Sequence, residues 1–124
     1  EIYLLFQHEY SANFLFTLWK RVRKYRACCT GITQNVDDLL QSHTARTMLA
    51  NSEFLVMLNQ AATDRTELAR LLNISDNQLS YITNVDFGRG LIKCGSAIVP
   101  FMDNFPKNHL YKLMSTKPAD LNAA

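Results

Sequence analysis

The chain has 124 residues, a net charge of +2 and 19% charged side chains. That length makes one domain or part of one, and that charge pattern excludes a disordered polyelectrolyte and singles out no nucleic-acid or membrane partner. Hydrophobic residues make up 48%, yet no apolar stretch approaches the roughly 20 residues of a membrane span.

The chain opens on Glu1 and the apolar run Ile2–Phe6, with no initiating Met, basic leader or small-residue cleavage site, so it reads as cut from something longer rather than as a signal peptide. Ile2–Phe6 lacks alternation and predicts a strand buried on both faces, a core helix being the alternative. From Tyr10 to Tyr25 the period becomes helical. Phe14, Leu15, Leu18, Trp19, Val22 and Tyr25 form the predicted inner face, Ser11 the N-cap, and Lys20, Arg21, Arg23 and Lys24 the outer face. Residues 27–33 read as a second strand, with Cys28 and Cys29 as small buried thiols; three reduced cysteines with Cys94 fit a reducing compartment.

Val36–Leu40 begins a helical turn and Ser42 caps a short helix reaching about Asn51. Phe54–Leu58 is the third buried-strand candidate. Thr63 or Asp64 then caps a helix with Leu68, Leu71 and Leu72 inward, and Ser75-Asp76-Asn77-Gln78 has the form of a capping box. After the turn Gly88-Arg89-Gly90, two short runs flank Gly95-Ser96, a spacing that predicts a β-hairpin with a type II′ turn. A helical turn at Leu110–Met114 precedes a polar tail. Strand, helix, strand, helices, strand is a crossover rhythm. It predicts an α/β fold, a parallel sheet flanked by helices with a C-terminal β-hairpin.

Open parallel sheets collect functional groups just past their strand ends. Gln7-His8-Glu9, Thr33-Gln34-Asn35 and Asn59-Gln60 occupy those places. A carboxamide such as Gln34 at a rigid strand tip can hydrogen-bond a water or a phosphate oxygen without adding charge; the plainer alternative is that Thr33, Gln34 and Asn35 cap the next helix. Glu1 suits either a catalytic carboxylate or a loose chain end. His8, His43 and His109 are scattered, and no metal site is expected. Lys20, Arg21, Arg23 and Lys24 suit DNA phosphates or, by default, a solvated helix face, since few aromatics interleave with them. Arg65 and Arg89 are candidates for an arginine finger reaching a neighbour's phosphate, or surface ion-pair residues. No G-x-x-x-x-G-K-[ST] occurs, so this chain has no phosphate cradle and no catalysis is expected of it alone.

As a set, Glu1–Phe6, Leu18–Tyr25, the block Thr33-Gln34-Asn35-Val36-Asp37-Asp38-Leu39-Leu40, Met57–Gln60, Leu71–Ser75, Gly88–Ile92 and Val99–Phe101 resemble conjugal-transfer ATPases. The family is the cytoplasmic secretion-channel ATPase of type IV secretion systems, in the form found on integrative conjugative elements of Gram-positive bacteria. The similarity runs over residues 1–118, with 119–124 as a tail. It implies the C-terminal part of a RecA-like P-loop domain that starts inside the Walker B strand. Glu1 matches the Walker B Glu that orients the attacking water, and Gln34 the strand-tip Gln that senses the γ-phosphate. ATP and Mg²⁺ belong to the longer parent, and no cofactor is expected in this chain. Arg65, then Arg89, is the candidate for an arginine supplied between subunits of a homohexamer, at the inner face of the bacterial membrane.

The resemblance also sets a structural problem. Residues 2–6 and 27–33 become neighbouring strands, while 53–58 is separated from 27–33 by a strand this chain lacks. Unpaired backbone is costly, so direct strand pairing, or a partner chain, is expected to close the gap. Two rivals share the sequence: a non-enzymatic docking module built on the hairpin and the helices after residue 60, and a DNA translocase of the same superfamily.

Overall fold

The computed structural model describes residues 1–34 and 36–118, and at 62–64 the backbone. Asn35 and the tail 119–124 lie outside the described residues. In chain order come a 3-10 turn (Ile2–Phe6), helix α1 (Glu9–Arg21) with a 3-10 extension (Val22–Tyr25), α2 (Val36–Gln41), α3 (His43–Ala50), strand β1 (Phe54–Met57), α4 (Ala62–Leu72) and α5 (Asp76–Leu79). A 3-10 turn (Ser80–Ile82), β2 (Arg89–Cys94), β3 (Ala97–Met102) and α6 (His109–Met114) complete the order.

The sheet is α/β's strand half in a different form from the one expected. It has three strands in the order β1-β2-β3, both pairings antiparallel, with Met57 opposite Leu91 and Leu91 opposite Pro100. Among the described residues there is no parallel pairing. Ile2–Phe6 is a 3-10 turn, its backbone satisfied locally by Leu4 N–H to Glu1 C=O (3.3 Å) and Gln7 N–H to Leu4 C=O (3.4 Å). Residues 27–33 form no ladder and are mostly exposed. The physical reason is the same for both. A parallel strand needs hydrogen-bonding neighbours and apolar cover on both faces, and neither run has them here. One bond, Ile2 N–H to Ile32 C=O at 3.0 Å, still holds the two runs side by side. The gap expected to close by strand pairing therefore does not close.

Local signals fare better. Ser42 caps α3 by accepting from Ala45 N–H, and Ser75 and Gln78 form the full capping box of α5. Gly95 takes φ of +56° while Ser96 does not share it, as a type II′ turn requires. Gly90, expected in a turn, is already inside β2, where it lies against the Met57 carbonyl with no room for a Cβ. The N-cap of α4 is Ala61, so neither Thr63 nor Asp64 caps that helix. His8, rather than Ser11, is the N-cap of α1; the Ser11 hydroxyl instead donates to Leu5 C=O (2.6 Å) and His8 C=O (3.0 Å).

The core gathers Val36, Leu40, Met57, Leu68, Leu72, Ile74, Ile82 and Leu91, of which Ile82 and Leu91 have 0% exposure. It sits beneath the sheet and between α2 and α4. Arg46 ties the helices together: its Nε donates to Leu40 C=O at the end of α2, and its guanidinium meets Glu67 of α4 at 2.9 Å. Glu67 also faces Arg70 at 3.7 Å. The cysteines depart from expectation. Cys28 is exposed and Cys29 half-buried, because the run that carries the vicinal pair has no sheet to enter, and Cys94 is exposed at the end of β2.

Two outcomes follow from this packing. Leu91→Ala should lower stability by roughly 2–5 kcal/mol in urea unfolding, the usual cost of truncating a buried Leu, whereas exposed Ile32→Ala should stay within about 0.5 kcal/mol. In the native chain a thiol reagent should modify Cys28 and Cys94 at once and Cys29 more slowly, with the three rates converging in denaturant.

Candidate functional site

Glu1 and Gln34 are brought together although 33 positions separate them. The Ile2–Ile32 backbone bond joins the start of the first 3-10 turn to the 27–33 run. One step further along, the Gln34 backbone N–H donates to the Glu1 carboxylate at 3.4 Å. Both residues are exposed. A carboxylate beside a carboxamide-bearing residue supplies an acceptor for a water proton and a neutral donor for an anionic oxygen. The Thr33-Gln34 segment leads straight into α2, so the capping alternative and the sensing one fall at the same place; Asn35 is outside the described residues.

The two arginines stand elsewhere. Arg65 is half-buried in the first turn of α4, and Arg89 opens β2 with its guanidinium 3.8 Å from Asp86. Neither makes a described hydrogen bond or ion pair with Glu1 or Gln34. The third polar cluster is structural. Asn59 accepts from Val85 N–H at 3.4 Å, and the Gln60 N–H donates to Ile82 C=O at 2.9 Å, so this tip fastens the loop ahead of β2 to the end of β1. Among the described residues, no three His, Cys, Asp or Glu side chains cluster as metal ligands.

An open cleft of about 320 Å³ lies between the first 3-10 turn and the α2–α3 corner, lined by Tyr3, Phe6, Gln7, Asp38, Gln41 and Ser42. Of these, only Gln7 was placed in a functional polar cluster by the sequence, and Ser42 was marked as a helix cap. Tyr3 and Phe6 were hidden by their assignment to a buried strand. Asp38 and Gln41, three apart on the outer face of α2, carried a periodic signal that could have found them. A smaller cleft of about 220 Å³ is lined by Leu40, Arg46, Glu67, Arg70 and Leu71. Nothing in the sequence marked Arg46, since its partners are 6 and 21 positions away.

Lys20, Arg21, Arg23 and Lys24 lie exposed at the end of α1 and on its 3-10 extension. The Lys20 ammonium sits 3.9 Å from the Phe16 ring centroid. Arg26 closes this segment in a left-handed conformation, with φ of 55°. Gly is the usual residue there, and a side chain costs about 1 kcal/mol. Arg26→Gly should therefore leave thermal stability unchanged or raise it, read by the melting curve.

Comparison with known proteins follows the same residues. Residues 1–90 match the family model of the TraG P-loop domain. Among solved structures, the chain is similar to the structure of VirB4 of Thermoanaerobacter pseudethanolicus, with 27% identity and a TM-score of 0.69. The similarity covers 77% of this chain and 27% of that one, so the chain spans about a quarter of the solved relative's length. No curated protein matches it.

Proposed function

The chain belongs to the TraG P-loop domain family, and from that premise we propose that it is the C-terminal portion of an ATPase domain that powers DNA or protein transfer, or pilus assembly, at a type IV secretion channel. The observation that carries this reading is the pairing of Glu1 with Gln34 across the Ile2–Ile32 contact. Glu1 orients the water that attacks the γ-phosphorus and accepts its proton. Gln34 senses the γ-phosphate through a neutral hydrogen bond. Such sites work by positioning and charge stabilisation, and two groups on adjacent segments supply the first of these.

ATP and Mg²⁺ fit this chain on one side only. The donor set here is a carboxylate and a carboxamide, and the sequence has no phosphate-binding loop. Other parts of a longer protein hold the nucleotide, and the chain alone is inactive. In that protein Ile2–Phe6 and residues 27–33 take places as neighbouring strands of a RecA-like parallel sheet, a reading supported by their one shared backbone bond. Subunits assemble as a homohexamer on the cytoplasmic side of the membrane, against channel components, with Arg65 or Arg89 supplied to a neighbour's nucleotide. No described helix is long and apolar enough to cross a membrane. Lys20, Arg21, Arg23 and Lys24 contact DNA phosphates, as their shared exposure at one helix end allows.

A docking module is the second reading. Val99 and Met102 of the hairpin and Leu110 and Leu113 of α6 are exposed, a surface suited to a protein partner. Turnover by the full-length protein separates the two. Glu1→Gln should reduce ATP hydrolysis by about 10²–10⁴-fold while leaving nucleotide binding intact, and Gln34→Ala should reduce it in the same direction. Unchanged turnover in Glu1→Gln would remove the catalytic assignment and leave docking.

A further inference from the structure

The outer face of α1 carries an apolar line that the fold leaves unused. Its inner face, with buried Ala12 and half-buried Leu15 and Trp19, meets the rest of the chain. Tyr10, Phe14 and Leu18, at i, i+4 and i+8, point away from that face; Tyr10 is 88% and Phe14 61% exposed. Tyr25, on the 3-10 extension, is 78% exposed. The sequence pattern had placed Phe14 and Tyr25 inward, which left few aromatics among the cations. The structure reverses that. Arg21 falls in the same line as Tyr10 and Phe14, Arg23, Lys24 and Arg26 adjoin Tyr25 along the chain, and Lys20 holds its ammonium over the Phe16 ring. None of the five joins a described ion pair.

We propose that this face binds single-stranded nucleic acid, the five cations holding phosphates while Tyr25, Phe14 and Tyr10 stack on bases. The proposal rests on the DNA contact suggested above and adds to it the strand class and the residues that select it. A cationic helix end alone would attract any polyanion. Exposed rings standing among the cations add a term that only unpaired bases can satisfy, because a duplex hides its base faces. From Tyr10 to Tyr25 the segment is about 22 Å long at 1.5 Å per residue, enough for several nucleotides. An anionic membrane fits less well. Interfacial helices separate cations and apolar residues onto different faces, whereas here Arg21 shares the aromatic line.

The test is fluorescence anisotropy of the chain, without ATP, against a labelled oligothymidine of about 20 nucleotides and a duplex of equal length. The single strand should bind at least about tenfold more tightly. Tyr25→Ala should weaken single-strand binding by roughly 5- to 150-fold, the loss of one stacked base, with duplex binding unchanged and Tyr25→Trp restoring it. Arg21→Ala with Lys24→Ala should weaken both and lower the logarithmic salt slope by about 1.4 for the single strand. Melting curves confirm that these exposed substitutions leave the fold intact. Equal affinity for both nucleic acids, indifference to Tyr25→Ala, binding to phosphatidylserine vesicles but to neither oligonucleotide, or no binding at all would each overturn the proposal. Because ATP is absent, a negative result here leaves the Glu1 and Gln34 assignment standing, and the turnover result leaves this one standing.

Discussion

β2 is the element on which the sheet and its core depend, because it is paired on both edges. Its residue Leu91 has Met57 opposite on one side and Pro100 on the other, and no exposed surface of its own. That placement needs two neighbours to give way. Gly90, with no Cβ, lets the Met57 carbonyl lie against the strand, and Gly88, at φ of +77°, turns the chain in beside the Asp103 carbonyl. Pro100 has no N–H to offer a ladder, and it sits on the edge strand β3, where that loss is tolerated. Beneath the sheet, Ile82 fills the space against β2, and the Gln60 N–H fixes its carbonyl. Burial and backbone satisfaction thus converge on a few residues.

The N-terminal part is held differently. α1 leans on α3, the first 3-10 turn leans on α1, and Arg46 fastens the end of α2 to α4 through one carbonyl and one carboxylate. These are side-chain packing and isolated hydrogen bonds rather than a ladder. Glu67 receives both Arg46 and Arg70, and its side chain is 43% exposed, so water screens the pair and its worth is modest. The geometry of Glu1 and Gln34 is accordingly set by two hydrogen bonds between the start of the first 3-10 turn and the 27–34 run.

What could be read from the sequence divides along the same line. The Ser42 cap, the Ser75–Gln78 box and the Gly95-Ser96 turn are decided within four or five residues, so the local sequence specifies them. Whether Ile2–Phe6 is a strand is decided by a neighbour, and an apolar run does not say whether one is present. Phe54–Met57 shows the other half of that limit. Its strand character was legible, but its antiparallel partner, 34 to 40 positions downstream, was not. In α1 the sequence has two apolar lines, Leu15 with Trp19 and Tyr10 with Phe14, and periodicity cannot choose which turns inward. Gln34 was expected at a strand tip, but the run before it forms no strand here, and its meeting with Glu1 rested on family resemblance. Arg46 carried no signal, because its role is to receive groups that only the fold brings near.

On the proposed reading this division has a mechanistic consequence. Positioning a water within a few tenths of an ångström requires groups whose own placement is over-determined by packing. Here Glu1 and Gln34 are exposed, and the bond that joins them is 3.4 Å long. Residues 27–33 carry backbone groups that no ladder fixes. Strands added on either side would convert that extended run into a rigid tip, with Gln34 at its end and Glu1 beside it. Sheet completion and site assembly are then the same event, since the hydrogen bonds that make 27–33 a strand also set the distance between acceptor and sensor. The order of contributions follows from this. The β2-centred half supplies a paired and buried base, and on the proposed reading the Glu1–Gln34 edge gains its geometry when its backbone is paired.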